Sequence, residues 1–591
     1  MKQKHTRDKR EKKPPGHRWR MILVGVFLTL LYGGVGARAV FLHVVQGPWW
    51  SQKAARQYQR AKVTHGKRGT IYDTRMREMA VSIDTTSIAA FPGSVVNPQA
   101  TAMALSKVLK LNPASLKRKL TAKGPFVWIK RDVAPKDVAA VKALSLAGIE
   151  FLPEHARVYP NRTLAAQLIG FSGIDGVGLE GLEFFYNDHL KGNKVKQIVM
   201  TDALGRGFDA EKQIMANYSG GNLILTVDRN VQYIAETALA EAATTNRARS
   251  GIAVVMLPKT GAILAMAHYP FFNPNSFEDY KRDQWRNRAI TDPFEPGSTM
   301  KIFMAAGAID AGICTPNTIF YCEDGRYRIG RNTIHDTHPH EWLTLLEIVK
   351  YSSNIGTVKV AEAIGRDLLH ANLKAFGFGE KTGIDCPGET PGLLSSPSRW
   401  TRIDMAAISF GQGVSVSAVQ LVAATAAIAN DGVLMAPRIV KALTDNNGRL
   451  IQSFEPRKVR DVISPVSART IRSIMNSVTT EGGTGVNAAI DGYSVCGKTG
   501  TAQKIDESGR YARGKYISSF IGFAPCESPE IVVLVILDEP REKHYGGLVA
   551  APAFSRIVRE TLNYMNITPE ENLQPDWNRK MTLAKVTDTK K

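Results

Sequence analysis

The sequence is poor in cysteine, which argues against a domain held together by disulfide bonds. Its 591 residues contain five cysteines, Cys314, Cys322, Cys386, Cys496 and Cys526. This number is small and odd, whereas disulfide frameworks need many paired cysteines in a short chain. A pair between Cys314 and Cys322 stays open, and buried unpaired thiols fit the sequence at least as well.

Acidic residues are scarce relative to basic ones. The chain has 54 Asp and Glu against 76 Lys and Arg, a formal charge of +22, which invites a nucleic-acid interpretation. Residues 1–20, however, hold nine Lys or Arg against Asp8 and Glu11, so +7 of the excess lies in one short tail. The remaining composition, 44% hydrophobic and 22% charged overall, is that of a globular protein. We therefore expect no nucleic-acid partner.

Long apolar runs are absent except at residues 21–45, which are apolar apart from Arg38 and His43. A run of about 20 apolar residues can cross a bilayer as a helix, and the preceding basic cluster predicts a cytoplasmic N-terminus. A cleaved signal peptide is the alternative, because residues 37–39 (Ala-Arg-Ala) fit a cleavage site. The apolar run continues past that site, so we predict an uncleaved anchor in the inner membrane, with the rest of the chain exported.

The chain is too long for one hydrophobic core, since single cores stop growing at about 250–300 residues. Gly220-Gly221 precedes a strand pattern and a long helix pattern and marks the main boundary. Upstream the pattern is an irregular α/β module; downstream, strands at both ends of a helical middle predict an α+β fold with an antiparallel sheet flanked by helices. The predicted parts are a basic tail (1–20), an anchor (21–45), a non-catalytic module (46–220), a second domain (221–570) and a disordered basic tail (571–591).

Ser298 and Lys301 form the first candidate pair for chemistry. They are the only Ser-x-x-Lys in the chain, and they begin an apolar, Ala-rich helix after Pro296-Gly297. Spacing of i, i+3 places both side chains on one helical face, so the amine is expected to reach the hydroxyl. A neutral lysine can take the proton of a serine nucleophile, and burial favours the neutral form. A backbone amide at the helix start would face a developing oxyanion.

The segment Ser352-Ser353-Asn354 is the second candidate and the only Ser-x-Asn in the chain. It lies about fifty residues downstream of Ser298, between two helical patterns. The Ser352 hydroxyl can relay a proton, and the Asn354 amide can hold a substrate carbonyl or the Lys301 amine. Taken alone, a helix cap would be the better interpretation of this segment.

Lys-Thr-Gly occurs twice, at 381–383 and at 498–500. The first copy is crowded by Gly and Pro and predicts a loop. The second, Lys498-Thr499-Gly500, precedes Thr501 and a polar hairpin, which suits an edge strand that can pair with an extended peptide. There the lysine would attract a carboxylate, the threonines would hydrogen-bond it, and a backbone N–H would complete an oxyanion hole.

The histidine-rich segment 335–341 superficially suits zinc. It contains His335, Asp336, His338, His340 and Glu341, and imidazole and carboxylate groups are zinc ligands. A proline interrupts the segment between two of the histidines, which favours a polar loop. We expect no metal and no other cofactor.

The three motifs together match the signature of class A β-lactamases and penicillin-binding proteins. Longer segments, between about residues 60 and 570, resemble class B penicillin-binding proteins of the division-specific (septal) peptidoglycan D,D-transpeptidase type. These segments are RNRAITDPFEPGSTMK, KYSSNIG, SFGQG, CGKTGTAQK and HYGGLVAAPAFSRIVRETLNYMNITPE. By this resemblance, the domain 46–220 is the pedestal, or dimerisation-type, domain of that class, and 221–570 is the transpeptidase domain.

The pedestal contains segments that resemble the non-catalytic motifs of that class. They are RGTIYD (Arg68, Gly69, Asp73), RVYP (Arg157, Tyr159, Pro160) and GLEGLE (Gly178, Gly181, Glu183). The first motif departs from the family, which usually continues Asp-Arg-x-Gly where this chain reads Asp73-Thr74-Arg75-Met76. The contacts of that turn are therefore in question.

The resemblance implies a reaction and its partners. Ser298 would attack the penultimate D-Ala carbonyl of a stem peptide ending in D-Ala-D-Ala, and the amine of a neighbouring stem peptide would then take the acyl group. Lys301 would act as general base, Ser352 as proton relay and Asn354 as a contact for substrate and lysine. β-Lactams would mimic D-Ala-D-Ala, and a SEDS-family glycan polymerase and other division proteins would be partners.

The same resemblance places the substrate carboxylate and the oxyanion. Lys498, Thr499 and Thr501 would bind the terminal carboxylate, and the amides of Ser298 and Thr501 would form the oxyanion hole. Several alternatives stay open: an elongation-type transpeptidase, a D,D-carboxypeptidase or β-lactamase that uses water, and a β-lactam-binding sensor. The bifunctional class A type is disfavoured, because residues 46–220 lack a glutamate-rich polymerase signature.

Overall fold

A computed structural model of the chain describes residues 18–200, 218–505 and 510–570. The predicted C-terminal tail, 571–591, and most of the predicted N-terminal tail lie outside the described residues. The chain forms two compact units, one of residues 1–65 with 194–218 and the other of residues 66–193 with 219–591. All candidate site residues belong to the second unit.

The first unit contains the predicted anchor. The helix Arg18–Val40 continues through a π-helical turn, Phe41–Val45, and a second helix, Gly47–Tyr58, follows. Residues 19–45 are long and apolar enough to cross a membrane, and none of the apolar window is buried by other parts of the chain. This helix is a candidate membrane anchor. Strands Gln59–His65 and Lys194–Met200 pair antiparallel in the same unit.

The pedestal is built on a seven-stranded sheet with helices packed on it. Its predicted amphipathic helices are Pro98–Leu109 and Pro113–Leu120, each with Pro at its first position after a capping Asn97 or Asn112. They pack with the helix Pro135–Ala143 over a small apolar core. The strands, in spatial order, are Leu450–Ser453, Val440–Thr444, Asn222–Leu225, Ile71–Tyr72, Glu78–Ala90 and Val127–Val133, with Ile149–Val158 also paired to Glu78–Ala90.

This sheet crosses the predicted boundary at residue 220. The strand Asn222–Leu225 pairs in parallel with Ile71–Tyr72 and antiparallel with Val440–Thr444. The predicted strand and long helix after Gly220-Gly221 are present as Asn222–Leu225 and Arg229–Thr245. The two strands that pair with Asn222–Leu225 lie about 150 positions upstream, in the pedestal, and about 220 positions downstream, and no local pattern indicates either pairing.

The pedestal motifs meet around one buried carboxylate. Glu183 is fully buried, with Arg68 Nε 2.5 Å from one oxygen and Arg157 Nε 2.7 Å from the other. Burial opposes ionisation, but the two arginines lower the pKa of Glu183 below its ordinary value. Tyr159 also donates to this carboxylate, at 3.2 Å. A side chain at Gly178 would collide with the Glu183 carbonyl, since its Cβ would lie 1.8 Å from that oxygen.

The turn that departs from the family keeps its aspartate contacts. Asp73 Oδ1 accepts hydrogen bonds from the backbone N–H of Arg75 at 2.9 Å and of Arg77 at 2.8 Å. Met76 stands where the family has glycine, and its φ of 62° is left-handed. In this chain the turn therefore forms although Met76 must adopt a left-handed backbone conformation, which glycine adopts more readily.

The predicted antiparallel sheet of the second domain is confirmed. Its five strands, in spatial order, are Cys496–Ile505, Tyr511–Ala524, Ile531–Asp538, Ser250–Met256 and Ile263–Tyr269, all antiparallel. The apolar run 531–537 is the buried middle strand, as its length predicts. The strand that carries the second Lys-Thr-Gly, Cys496–Ile505, lies at the edge; we call it the motif strand.

Helices cover both faces of this sheet. Arg229–Thr245 and the closing helix Ala551–Tyr564 pack on one face. The other face carries the helical middle of the domain, including the helix Lys301–Asp310. The further helices of this middle part are Arg282–Trp285, Arg288–Thr291, Leu345–Lys350, Asn354–Ile364, Arg366–Ala375, Arg402–Ser409, Ala418–Ala429 and Pro465–Thr479.

Short elements complete the described chain. Three two-stranded sheets pair Ile319–Tyr321 with Trp342–Thr344, Arg326–Ile329 with Asn332–His335, and Val433–Met435 with Lys458–Asp461. The remaining short α-helices are Ala166–Ile169, Gly181–Phe185, Asn187–Leu190 and Gly546–Val549. Short 3-10 segments are Pro92–Ser94, Pro274–Asp279, Gly297–Met300, Glu323–Gly325, Pro397–Arg399 and Val486–Ala488.

The cysteines correct one expectation. Cys496 and Cys526 form a disulfide, with their Cα atoms 5.4 Å apart. Cys314, Cys322 and Cys386 are free and buried, so the pair considered from sequence, Cys314 with Cys322, does not form. The disulfide joins residues 30 positions apart, and the pairing of two strands brings them together.

Candidate active site

Ser298 lies in a single 3-10 turn, Gly297–Met300, that leads into the helix Lys301–Asp310. Gly297 has a φ of 55°, and a Cβ there would lie 3.1 Å from the Thr501 carbonyl oxygen. Glycine therefore lets the chain turn sharply beside the motif strand. The Ser298 side chain is half-buried, and its hydroxyl makes no hydrogen bond to the described residues.

Lys301 is fully buried and points to the Ser-x-Asn segment. Its Nζ donates to the Ser352 carbonyl oxygen at 2.5 Å and to Asn354 Oδ1 at 2.8 Å, and lies 3.3 Å from Ser352 Oγ. The expected hydrogen bond to Ser298 is not formed within the described residues, because these acceptors hold the amine. Burial lowers the pKa of Lys301 to about 7, and the Asp336 carboxylate acts against that shift.

The Ser-x-Asn segment is both a helix cap and part of the candidate site. Ser352 has a φ of 63°, which turns the chain between the helices Leu345–Lys350 and Asn354–Ile364. Ser353 is the helix cap, since its Oγ accepts the Gly356 N–H at 2.8 Å. The flanking Ser352 and Asn354 are left to contact Lys301.

Asp336 is a site residue that the motifs did not indicate. Its carboxylate accepts the N–H of Asn354 at 2.5 Å, the N–H of Ile355 at 3.0 Å and the hydroxyl of Ser353 at 2.5 Å. It therefore caps the helix that begins at Asn354 and fixes the Asn354 backbone. The one sequence signal for Asp336 is its place in the histidine-rich segment, and that composition suggests a zinc ligand rather than a helix cap.

The histidine-rich segment is used in other ways. The His335 carbonyl oxygen accepts from Asn354 Nδ2 at 3.0 Å, and His340 stacks on Tyr351 with ring centroids 5.3 Å apart. Within residues 18–200, 218–505 and 510–570, no group of three or more His, Cys, Asp or Glu side chains is arranged to hold a metal ion.

Lys498 projects from the motif strand to the same hydroxyl as Lys301. Its Nζ lies 2.9 Å from Ser352 Oγ and 3.2 Å from Thr499 Oγ1. The side chain is fully buried, and burial together with the charge of Lys301 holds the pKa of Lys498 well below its usual value. Thr501 Oγ1 accepts the Gly546 N–H at 3.1 Å. Gly500 is buried between Thr499 and Thr501.

The other Lys-Thr-Gly is a loop, as predicted. Thr382 donates to Glu389 through its N–H and its hydroxyl, both at 2.6 Å, and Lys381 is exposed. These contacts close a local turn. The structure thus brings Ser298, Lys301, Ser352, Asn354 and Lys498 into one region and leaves Lys381 outside it.

The fold and the site together define a class of protein. A serine begins a helix beside a buried lysine, a second hydroxyl lies between two lysine amines, and the edge of an antiparallel sheet runs alongside. This arrangement can activate a hydroxyl for acyl transfer and bind an extended peptide. It is characteristic of the class of serine acyl-transfer enzymes that includes β-lactamases and penicillin-binding proteins.

Comparison with known proteins specifies the family. The model of the penicillin binding protein transpeptidase domain matches residues 251–559, and that of the penicillin-binding protein dimerisation domain matches residues 63–225. The chain is 36% identical to the probable peptidoglycan D,D-transpeptidase PenA of Neisseria meningitidis, over 96% of each chain. It is 33% identical to the peptidoglycan D,D-transpeptidase FtsI of Escherichia coli, over 95% of this chain and 94% of that protein.

A solved structure agrees with this assignment. Penicillin binding protein 3 of Mycobacterium tuberculosis, in complex with aztreonam, superposes with a TM-score of 0.67 at 27% identity, covering 87% of this chain and 99% of that one. The chain belongs to the class B penicillin-binding proteins. It is a serine-type penicillin-binding transpeptidase, so peptidoglycan is its substrate class and β-lactams are its ligands.

Proposed function

We propose that this chain cross-links the stem peptides of septal peptidoglycan during cell division, with Ser298 as the nucleophile. One observation carries the assignment of the residues. The fully buried Lys301 amine, with its pKa lowered to about 7, is held three residues from Ser298 and against Ser352. A buried amine of this kind is half neutral near pH 7 and can accept a proton from a serine hydroxyl.

The proposed reaction is two acyl transfers. Ser298 Oγ attacks the carbonyl carbon of the penultimate D-Ala, and its proton passes through Lys301 and Ser352 to the leaving amine. The C–N bond breaks, and D-Ala leaves. The amine of a second stem peptide then attacks the ester carbonyl, its proton returns to Ser298 Oγ, and an amide bond closes the cross-link. Asn354 holds the substrate and the Lys301 amine.

The motif strand is proposed to bind the donor peptide. Lys498, Thr499 and Thr501 face the terminal carboxylate of D-Ala-D-Ala. Gly500 lets the motif strand pack closely on Ser519 and Thr299, which a Cβ at this position would meet. The N–H groups of Ser298 and Thr501 form the oxyanion hole, where one donor is worth about 3–4 kcal/mol of barrier. A β-lactam enters in the same way and leaves Ser298 acylated.

The cellular role rests on the anchor and on the C-terminal sequence. The candidate anchor would hold the N-terminus in the cytoplasm and the catalytic domain outside the inner membrane. This orientation follows from the cluster of basic residues before the anchor, because such clusters stay on the cytoplasmic side. The segment YGGLVAAPAF resembles the division type. A SEDS-family glycan polymerase and other division proteins would be the partners, through the pedestal (46–220) and the membrane helix.

The reaction is tested on the purified full-length protein in detergent. A stem peptide ending in D-Ala-D-Ala and an amine acceptor should give the cross-linked product, and Ser298→Ala should abolish both this product and labelling by fluorescent penicillin. Ser453→Ala, on an exposed strand, is the matched control. Hydrolysis of the donor without amine transfer would identify a carboxypeptidase instead.

The septal role is tested in cells. A fluorescent fusion that replaces the native protein should concentrate at midcell as the division site forms. Even distribution along the side wall would assign the protein to elongation and contradict the septal role, while leaving the transpeptidase reaction untouched.

A further inference from the structure

A cavity of about 530 Å³ lies apart from the proposed catalytic residues. Its walls are the helix Arg229–Thr245, the pedestal segment 161–164 and Phe271. This helix packs on the face of the five-stranded sheet opposite to the helix that follows Ser298. The proposed reaction therefore makes no use of the cavity.

One face of the helix lines the cavity. Arg229, Tyr233, Glu236 and Ala240 all line it, and their spacing of four, three and four residues is that of a single helical face. Arg229 and Glu236 are two turns apart, so their backbone positions are separated by about 10 Å along the helix. The cavity thus has a cationic and an acidic end.

The acidic end is a buried carboxyl group with an unused oxygen. Glu236 is 6% exposed, and its Oε1 accepts the Ala165 N–H at 2.7 Å and Gln232 Nε2 at 2.8 Å. Among the described residues, nothing donates to Oε2. Burial raises the pKa of Glu236 to about 7, so an amine placed at Oε2 would draw the carboxyl into its ionised form.

The cationic end is an arginine without an ion pair among the described residues. The backbone N–H of Arg229 donates to Asp73 Oδ2 at 3.2 Å, while its guanidinium group pairs with no carboxylate in residues 18–200, 218–505 and 510–570. Between the two ends, the Tyr233 ring is 64% exposed, and Leu164 and Phe271 supply apolar surface.

We propose that this cavity binds a short peptide, of about the length of a tripeptide, that carries a free amine at one end and a free carboxylate at the other. The amine donates to Glu236 Oε2, the carboxylate pairs with Arg229, and the body of the peptide packs on Tyr233. Uncrosslinked wall peptides and ordinary oligopeptides share this chemistry. The proposal stands independently of the transpeptidase reaction.

The probe is trialanine, titrated by calorimetry into the full-length protein in detergent. Trialanine should bind, and N-acetyl-trialanine amide, which lacks both charges, should bind at least tenfold more weakly. Glu236→Gln and Arg229→Gln should each weaken trialanine binding at least tenfold. The matched controls are Glu241→Gln, on the same helix, and Arg247→Gln, two residues after its end. Both lie outside the cavity and should bind trialanine like the unchanged protein.

Two further variants keep the test decisive. Ala240→Trp should fill the cavity and abolish binding without a change in melting temperature. Lys498→Ala should leave trialanine binding unchanged; loss of binding there would place the peptide in the catalytic cleft and overturn the proposal. Equal binding of charged and capped peptide, or unaltered binding by Glu236→Gln and Arg229→Gln, would also overturn it.

The source of the peptide is distinguished by a second probe, the wall tripeptide L-Ala-D-isoglutamyl-diaminopimelate. Binding at least tenfold tighter than trialanine assigns the site to uncrosslinked wall peptides, whereas equal affinity assigns it to peptides in general. Absence of binding by both probes refutes the site. Fluorescent penicillin labelling of the same preparations reports separately on the proposed transpeptidase function.

Discussion

Two buried lysine amines meet at the hydroxyl of Ser352. Lys301 Nζ is 3.3 Å from this oxygen and Lys498 Nζ is 2.9 Å from it, and both side chains are fully buried. Two positive charges this close in a buried site repel, so protonation of one disfavours protonation of the other. This repulsion favours the neutral form of one of the two amines, and activation of Ser298 requires that Lys301 be neutral.

The acylation rate should depend on pH through Lys301. Its pKa is lowered to about 7 by burial, so the neutral, proton-accepting amine predominates above this value and the ammonium form below it. The rate constant for acylation by penicillin should therefore fall about tenfold per unit as the pH drops below 7, and level off above pH 8. Stopped-flow measurements between pH 5 and 9 check this. A flat profile would exclude Lys301 as the base.

Asp336 should tune the same profile. The variant Asp336→Asn keeps an oxygen acceptor for the N–H groups of Asn354 and Ile355 but removes the negative charge that raises the pKa of Lys301. The acidic limb of the acylation profile should therefore move to lower pH. Asp336→Ala, which also removes the cap, should lower the free energy of unfolding by about 1–2 kcal/mol.

The control for Asp336 is Asp310→Asn. Asp310 also accepts a backbone N–H, that of Ser464, where another helix begins. It lacks contact with the lysines, so its profile should match that of the unchanged protein. If the acidic limb of the acylation profile is unchanged in Asp336→Asn, Asp336 acts only as a helix cap and does not affect the pKa of Lys301.

The two Lys-Thr-Gly copies should differ sharply on mutation. A bound carboxylate would draw the Lys498 amine into its charged form, and such a charge-assisted contact typically contributes about 1.5–3 kcal/mol. Lys498→Ala removes this contact, so acylation by penicillin should slow by about 10- to 150-fold. Lys381→Ala alters an exposed loop and should stay within about twofold. Acylation rates are compared only after thermal unfolding shows that each variant has the melting temperature of the unchanged protein. Equal effects of the two variants would contradict the assignment.

Among the elements, the motif strand is held in place by its paired strand and by a disulfide bond. Lys498 lies opposite Ile521 and Thr501 lies opposite Ser518. The register with the adjacent strand therefore fixes the position of each site residue along the motif strand. The disulfide between Cys496 and Cys526 ties the start of the motif strand to the turn after that neighbour. The free edge of the motif strand is left for a peptide.

The disulfide gives a direct count of thiols. Three cysteines are free and two are paired, so the denatured, unreduced protein should react with three equivalents of a thiol reagent and the reduced protein with five. Mass spectrometry of the alkylated chain measures this, with Cys314→Ala as a control that lowers both counts by one. Five reactive thiols before reduction would show that the bond is absent.

At the scale of the whole molecule, the pedestal and the catalytic domain share a sheet. Asn222–Leu225 and Val440–Thr444 extend the strands of the pedestal. In the pedestal, Glu183 is paired with Arg68 and with Arg157, which lies on the strand Ile149–Val158. Both regions belong to the unit of residues 66–193 and 219–591, while the candidate anchor belongs to the other unit.

Removal of residues 1–45 should therefore separate anchoring from reactivity. The truncated protein should remain in solution without detergent, because the exposed apolar helix is gone, and should react with fluorescent penicillin within about twofold of the full-length rate. Sedimentation and labelling measure the two properties. A loss of labelling with intact folding would show that the first unit contributes to the site.

The sequence by itself determined what depends on local signals. The apolar helix, the buried strand at 531–537, the start of the helix after Ser298 and the loop character of 381–383 follow from hydrophobic period, length, and glycine and proline content. The Ser-x-x-Lys and Ser-x-Asn pairs were identifiable because each occurs once in the chain.

Only the tertiary structure decided which distant residues meet. The cap from Asp336, the pairing of Cys496 with Cys526 and the pedestal sheet that crosses residue 220 join segments through strand pairing and packing. It also gave the buried Lys301 amine its hydrogen bonds to Ser352 and Asn354, because buried polar atoms must find partners. Such contacts have no periodic signature in the sequence, since they depend on where the folded chain passes.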